Sequence, residues 1–383
     1  MKILFVCQQY IHSARWINQL KDSNHEIFVF DCLDRPVHEE LSWTNYIGNW
    51  SKRKLPYIKG EDRLKKTTPN FYSKIEGILK VTPSNKLCKI IEEIQPDLVH
   101  SLEMQSQTYN VLKAYKKFDF KWAYFCWGSD LYFYESKKYH STRIKQVLTK
   151  LNYLFTDNQR DVNLAKSNDF KGKSYSKLPG GGGYDLEYLA KFRKPFSQRN
   201  LILIKGYDHW AGKSIKVLEA LENILESIKK YDIYVYSAHD SVIKKINELN
   251  TKHNISIKYS SRKEELNQEE LLKLFGKAKI AIGNSITDGI PNTLLEAILS
   301  GAFPIQSNPG KVTEEYIIDG ENGLLINDPK SSKEIAKQIK KALINDELLK
   351  NAFSINQEIA KKLDHNLIKK EVLKAYKQIE ADV

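Results

Sequence analysis

Short apolar runs alternate with amphipathic stretches along the whole chain. In the first half, KILFVC, EIFVFD, DLVHSL, WAYFCWG and YLFTD are rich in β-branched and aromatic residues and predict strands. Between them, SARWINQL, NKLCKIIEEI and QTYNVLKAYKK space their apolar residues as one face of a helix. The second half repeats the rhythm. LILIKG, YDIYVYSA, NISIKYS, AKIAIGNS, AFPIQS and GLLI alternate with KSIKVLEALENILESIKK, DSVIKKINELN, NQEELLKLFG and PNTLLEAILS. Strand and helix in alternation predict parallel sheets covered on both faces, because parallel strands need crossover connections. Two such series predict two doubly wound α/β domains. The polar, basic stretch AKFRKPFSQRN, with Pro195, precedes the strand at Leu201 and sets expected domains of 1–195 and 196–363, followed by a helical segment at 364–383. Ligands of doubly wound sheets bind at the carboxyl ends of strands, and two such domains in tandem are expected to face each other across a cleft.

Composition agrees with a globular protein: of 383 residues, 41% are hydrophobic and 28% charged. No apolar run approaches the roughly 18 residues that would cross a bilayer, and MKILFVCQQYIHS lacks the shape of a signal peptide. The expectation is a cytoplasmic protein, with peripheral contact at the inner face of a membrane left open. Cys7, Cys32, Cys88 and Cys126 show no metal-ligand spacing, so buried thiols are expected and no metal site. The net charge is +13, from lysines spread along the chain. One segment departs from that background. Residues 49–66, NWSKRKLPYIKGEDRLKK, mix Trp50, Leu55, Tyr57 and Ile58 with seven cations, a composition that suits a lipid headgroup region, an anionic acceptor or a plain solvated loop. It is too weak a signal for a nucleic-acid partner.

Candidate chemistry begins at TDGIPNTLLEA, 287–297. A strand ends before it, Gly289 turns the chain, Pro291 suits the first helical position and Gly301 closes the helix. The amides near Ile290, Asn292, Thr293 and Leu294 would then head a helix whose dipole attracts phosphate. Asp288 and Glu296 would flank that anion and accept hydrogen bonds from hydroxyls, which points to a ligand with phosphate in the middle and sugars at both ends. No GxGxxG follows the first strand, no GxxxxGK[ST] occurs, and there is no DxD. These absences argue against dinucleotide dehydrogenases, P-loop enzymes and metal-dependent sugar transfer.

The pattern from Ser285 through SITDGIPNTLLEAILSGAFPIQSNPGKVTEEYIIDGENGLLI is similar to the donor-binding half of retaining GT-B glycosyltransferases of family four, with its E-x7-E hallmark. By that resemblance Asp288, an Asp where the family has Glu, contacts the transferred sugar and Glu296 the nucleotide ribose. IKGYDHWAGKSIKVLEAL (204–221) resembles the family's diphosphate loop: Lys213 matches the second basic residue, Tyr207 stands where the family has Arg, and Lys205 is a candidate replacement. Glu315 either matches a family Glu ahead of DGENG or is a surface carboxylate. Arg262, in YSSRKEEL, is expected near the base. In the first half WGSDLYFY is similar to the family's His-Gly-Ser-Asp loop, with Trp127 in place of His and Asp130 retained. CQQYIHSARWINQL lacks the family's paired glycines, so His12 or Arg15 is expected to serve there. His100 and Glu103 are further acceptor-side candidates, PGGGGYD resembles the turn that ends the family's first domain, and the final helix, DHNLIKKEVLKAYKQIEA, resembles the family's segment that crosses back to pack on that domain.

The resemblance implies retaining, metal-independent transfer of a hexosyl group from a nucleotide diphosphate sugar, a UDP-sugar by family habit, to a hydroxyl of a glycan or glycolipid, as in bacterial surface polysaccharide or lipopolysaccharide synthesis. The donor is a co-substrate and no cofactor is implied. A nucleotide-sugar epimerase or sugar phosphorylase on the same fold, and a non-catalytic sugar-nucleotide-binding subunit, remain alternatives.

Overall fold

The computed structural model describes residues 1–383, with the side chains of Pro69, Asn70 and Ser73 outside the description. The chain divides into two compact units. The first comprises Met1–Asp157, Asp161–Gly182 and Lys369–Val383; the second comprises Asn158–Arg160 and Gly183–Ile368. The change of unit at Gly182 and Gly183 falls in the four-glycine run, and both residues have positive φ (77° and 80°), a region that a side chain would strain.

Unit 1 is built on seven parallel strands: β1 (Lys2–Val6), β2 (Glu26–Phe30), β3 (Asn45–Ile47), β4 (Leu98–Leu102), β5 (Lys121–Cys126), β6 (Tyr153–Thr156) and β7 (Lys173–Tyr175). Their order is β3-β2-β1-β4-β5-β6-β7. The five strands expected from sequence are all present, and β3 and β7 are added at the edges. β4 is buried at every position, as expected of a central parallel strand covered on both faces. On one side lies an aromatic seam of Phe5, Trp16, His100, Phe125, Phe155 and Tyr376. Tyr376 belongs to helix His365–Glu380, most of which is counted in unit 1. Its hydroxyl receives a hydrogen bond from Trp16 Nε1 (3.1 Å) and lies 2.7 Å from His100 Nδ1.

Unit 2 carries six parallel strands: β8 (Leu201–Lys205), β9 (Asp232–Ala238), β10 (Ile257–Ser261), β11 (Ala278–Gly283), β12 (Phe303–Ser307) and β13 (Leu324–Ile326), in the order β10-β9-β8-β11-β12-β13. All six match the sequence expectation. Ile202, Ile204, Val235, Ile280, Ile282 and Ile305 point one row of side chains into an aliphatic core. In each unit the chain leaves the middle of the sheet in one direction and returns to build the other half. That reversal leaves a crevice at the carboxyl ends of two neighbouring strands, β1 and β4 in unit 1 and β8 and β11 in unit 2.

The four cysteines are buried and free. Among the described residues no helix is long and apolar enough to cross a membrane, and no cluster of three or more His, Cys, Asp or Glu has metal-binding geometry.

Candidate active site

In unit 2 the loops that follow β8 and β11 are laced together at the crevice. Ile286 N donates to Ala211 O (2.9 Å), Lys213 N donates to Asn284 O (2.9 Å), and Asn284 Nδ2 returns a bond to Lys213 O (3.0 Å). Glycine is needed at 206, where a Cβ would lie 2.6 Å from Ala238 Cα, and at 212, where it would run into the carbonyl of Tyr207. The sequence from 206 to 213 therefore folds as a tight, self-braced loop.

Tyr207 is the centre of this loop. Arg262 Cζ lies 4.2 Å and Lys205 Nζ 4.5 Å from its ring centroid, and His239 stacks on it at 5.6 Å. His209 is a further neighbour at 5.9 Å. Burial pushes the His209 pKa down, and His239, Arg262, Lys213 and Lys205 push it the same way. Its Nδ1 accepts the amides of Ala211 (2.9 Å) and Gly212 (3.3 Å), so a neutral ring carries its proton on Nε2. The strand ends thus gather a knot of cationic and imidazole groups around one phenol. Lys213, at the entry to helix Ser214–Glu222, folds its Nζ back onto the carbonyls of His209 (2.6 Å) and Trp210 (3.4 Å).

The second half of the site is the turn before helix Asn292–Ser300. Pro291 is the residue ahead of the helix and not its first residue (φ −66°, ψ 129°). Its carbonyl accepts Leu294 N at 2.9 Å, so the Leu294 amide is spent inside the first turn. The Gly289 amide is likewise taken, by Asp288 Oδ1 at 3.1 Å. Asn292 and Thr293 keep their backbone N–H groups outside the intrahelical ladder, as first-turn residues do. The Thr293 hydroxyl is bonded to Tyr236 Oη (3.0 Å) and turns into the core. Half-buried Glu296 is close enough for its charge to raise the Tyr236 pKa.

Asp288 has its own pKa raised by burial, opposed by Lys205, its Gly289 amide bond and Arg160. Arg160 braces the turn from behind. Its Nη2 donates to Asp288 O (2.8 Å) and its Nη1 to Pro309 O (2.8 Å). Glu315 Oε1 accepts the backbone amides of Gln159 (2.7 Å) and Arg160 (3.3 Å), while its Oε2 is buried without a partner. Glu315 is therefore a bonded carboxylate that holds residues 159 and 160.

In unit 1 the acceptor-side candidates separate into two groups. Exposed His12 meets the half-buried Trp127 ring edge to face at 6.3 Å, which brings the loops after β1 and β5 together. Arg15 is on the same helix as His12, one turn on. Glu103, at the end of β4, is held at φ 71° and accepts the amides of Gln105 (2.8 Å) and Ser106 (2.7 Å), so much of its carboxylate is spent on its own loop. Two candidates lie where no acceptor can touch them. His100 is fully buried in the aromatic seam, and burial holds its pKa down to about 3. Asp130 is buried with both oxygens engaged: Oδ2 by Tyr124 Oη (2.6 Å) and Met104 N (3.0 Å), Oδ1 by Trp127 N (2.9 Å). Burial, Glu103 and Asp161 push its pKa up to about 7. It shapes the loop that carries Trp127. His100 is interior because β4 is covered on both faces, and Asp130 because it sits at the base of a tight turn.

Sequence reasoning missed Arg160, His209 and His239. His239 directly follows β9, so a rule of inspecting every strand end would have found it; nothing local marks Arg160.

Two family profiles match the chain, "Glycosyl transferase 4-like" over residues 2–158 and "Glycosyl transferases group 1" over residues 216–358. The chain belongs to the group 1 glycosyltransferases of the GT-B fold. A curated relative of this glycosyltransferase, the UDP-N-acetylglucosamine–peptide N-acetylglucosaminyltransferase GtfA subunit of Streptococcus pneumoniae, is 30% identical over 192 residues, 49% of this chain and 35% of the relative. The matched stretch is thus about a third of the length of that relative. Sucrose-phosphate synthase of Thermosynechococcus elongatus has the same fold, with a TM-score of 0.72 at 15% identity over the full length of both chains. HepE of Anabaena, solved with UDP, gives 0.70 at 13% identity over 99% of this chain and all of that one.

Proposed function

We propose that this glycosyltransferase is a retaining, metal-independent hexosyltransferase that takes its sugar from a nucleotide diphosphate donor, a UDP-sugar in the first place, and delivers it to a hydroxyl of a glycan or lipid-linked acceptor. The observation that carries the reading is the knot of Lys205, His209, His239 and Arg262 around Tyr207, laced through the Lys213 loop to the turn that bears Asp288. Cationic side chains and the unsatisfied amides of a helix start are what a diphosphate needs as it departs. Glu296 and Asp288 accept from the hydroxyls of ribose and sugar. Lys213 Nζ, resting on two neutral carbonyls, exchanges them for phosphate oxygens when the donor enters. As charge leaves the anomeric carbon, these groups stabilise the leaving group, and the departing phosphate oxygen takes the acceptor's proton, so no protein base is required.

The test is calorimetric titration with UDP, GDP, ADP and their sugars, followed by transfer assays on Glu296→Ala and Lys213→Ala. Both variants should keep the wild-type melting temperature and lose transfer. Normal turnover in either one removes the role given to that residue. A second reading of the acceptor is favoured by the pneumococcal relative, whose name specifies a peptide. Transfer from UDP-N-acetylglucosamine to a peptide, but not to a panel of glycans and lipid-linked sugars, would establish it.

A further inference from the structure

One strongly cationic stretch of the chain is not used by the sugar chemistry. Residues 49–89 hold eleven Lys and Arg against three acids, a net of +8 out of +13 for all 383 residues. One of the three acids is neutralised internally: Glu61 is buried, paired with Arg53 at 2.8 Å and bonded by Tyr72 Oη at 2.8 Å. Another, Glu76, is paired with Lys80 at 2.8 Å. Lys52, Lys54, Lys59, Arg63, Lys65 and Lys66 are all exposed.

The same segment exposes apolar side chains. It forms a loop and two helices, Glu61–Thr67 and Pro69–Leu79, inserted between β3 and helix Pro83–Ile94. On it Leu55, Tyr57, Ile58, Phe71 and Ile78 are 43%, 56%, 52%, 55% and 63% exposed. Single exposed apolar residues are ordinary, as Tyr10, Leu33, Val37 and Tyr139 are elsewhere in unit 1, but five within residues 55–78 of one insertion are a cluster. A groove of about 630 Å³ has Trp50, Val81 and Phe118 in its lining and Lys52, Lys54, Lys86, Lys89 and Lys117 around it, with Glu92 as its acid.

We propose that this insertion is a docking face for a bilayer surface carrying anionic lipid. Lysine stems and ammonium groups match lipid phosphates, and aliphatic side chains such as Leu55, Ile58 and Ile78 gain only from an apolar phase. A nucleic acid would use the cations and the aromatic rings but would leave the aliphatic residues in water. The proposal is independent of the donor chemistry, since every residue in it lies in unit 1 and outside the candidate active site.

Full-length chain is spun with vesicles of phosphatidylcholine alone and of equal parts phosphatidylcholine and phosphatidylglycerol. It should sediment with the second and stay in solution with the first. Each of Lys59→Gln, Lys65→Gln and Lys66→Gln should weaken binding about five-fold at low salt. Leu55→Ser with Ile58→Ser should leave charge intact and remove the binding that survives at high salt. Melting temperatures and UDP affinity of these variants should equal the wild type. Equal sedimentation with both vesicles, or with neither, overturns the proposal. Binding to single-stranded nucleic acid that equals the vesicle affinity and is unaffected by the two serine substitutions also overturns it, and reassigns the face to a polyanion.

Discussion

Replacing Tyr207 by Leu should weaken the site without emptying it of charge. The ring holds Arg262 at 4.2 Å and Lys205 at 4.5 Å, and Arg262 is exposed, so without the ring its guanidinium is free to wander. Each cation–π contact at such a position contributes roughly 0.5–1 kcal/mol. Losing two costs about 1–2 kcal/mol of preorganisation, which is about five- to thirty-fold in the dissociation constant of a diphosphate. Pyrophosphate is the primary probe, measured by calorimetry, because it tests the anion site without assuming which nucleoside the enzyme prefers; UDP is measured beside it. Tyr207→Phe keeps the ring and should bind both as the wild type does. Arg262→Ala should cost at least as much as Tyr207→Leu, and the double variant less than the sum, because both remove one contact. An unchanged Tyr207→Leu affinity, or a Phe variant as poor as Leu, would refute the clamp.

Other outcomes follow from the same geometry. Because burial and, after it, nearby cationic groups depress the His209 pKa, a bound diphosphate should raise it; UDP binding should then take up protons, seen as a dependence of binding enthalpy on the buffer, and tighten as pH falls through the ordinary histidine range. The buried pair His100 and Asp130 should oppose each other in unit 1. His100 titrates at about 3 when folded and at 6.5 when free, so the unfolded chain takes the proton first and stability falls by about 1.4 kcal/mol per unit below pH 6.5. Asp130 titrates at about 7 folded and 3.8 free, so the folded state holds the extra proton and stability rises at the same slope as pH falls from 7. His100→Asn should therefore become more stable on acidification to about pH 4 and Asp130→Asn less stable, read from urea midpoints by the fluorescence of Trp16 and Trp122. Identical pH profiles in the two variants would contradict this. Tyr376→Ala should destabilise unit 1 by about 3–5 kcal/mol through cavity formation, and Tyr376→Phe by about 1 kcal/mol through loss of the hydroxyl's partners; a neutral Ala variant would mean that the last helix is not part of the core.

Strand positions were legible because a buried parallel strand is a nearly unbroken apolar run, as in LILIK and AKIAIG. β3 and β7 were not, since NYI and KSY are three residues long, partly exposed and paired on one side only. In the candidate site, Lys205, Lys213, Asp288 and Glu296 were expected because each lies in or beside a strand-to-helix loop with a recognisable pattern. The grouping of Tyr207 with His239 and Arg262 could not, since three separate strands deliver them and only the strand order makes them neighbours. The side to which a strand-end residue turns was equally hidden: His100 and Glu103 are three positions apart, yet the first is interior and the second shapes a loop. Pro291 stands one residue earlier than its chemistry suggested because a proline ahead of the first turn still offers its carbonyl to Leu294.

The aromatic seam of unit 1 has a consequence for biosynthesis. Its keystone phenol is at position 376, so a ribosome that has already produced Phe5, Trp16 and Phe155 must translate all of unit 2 before the missing ring arrives. The slot that Tyr376 fills in unit 1 therefore stays open until the chain is almost fully made.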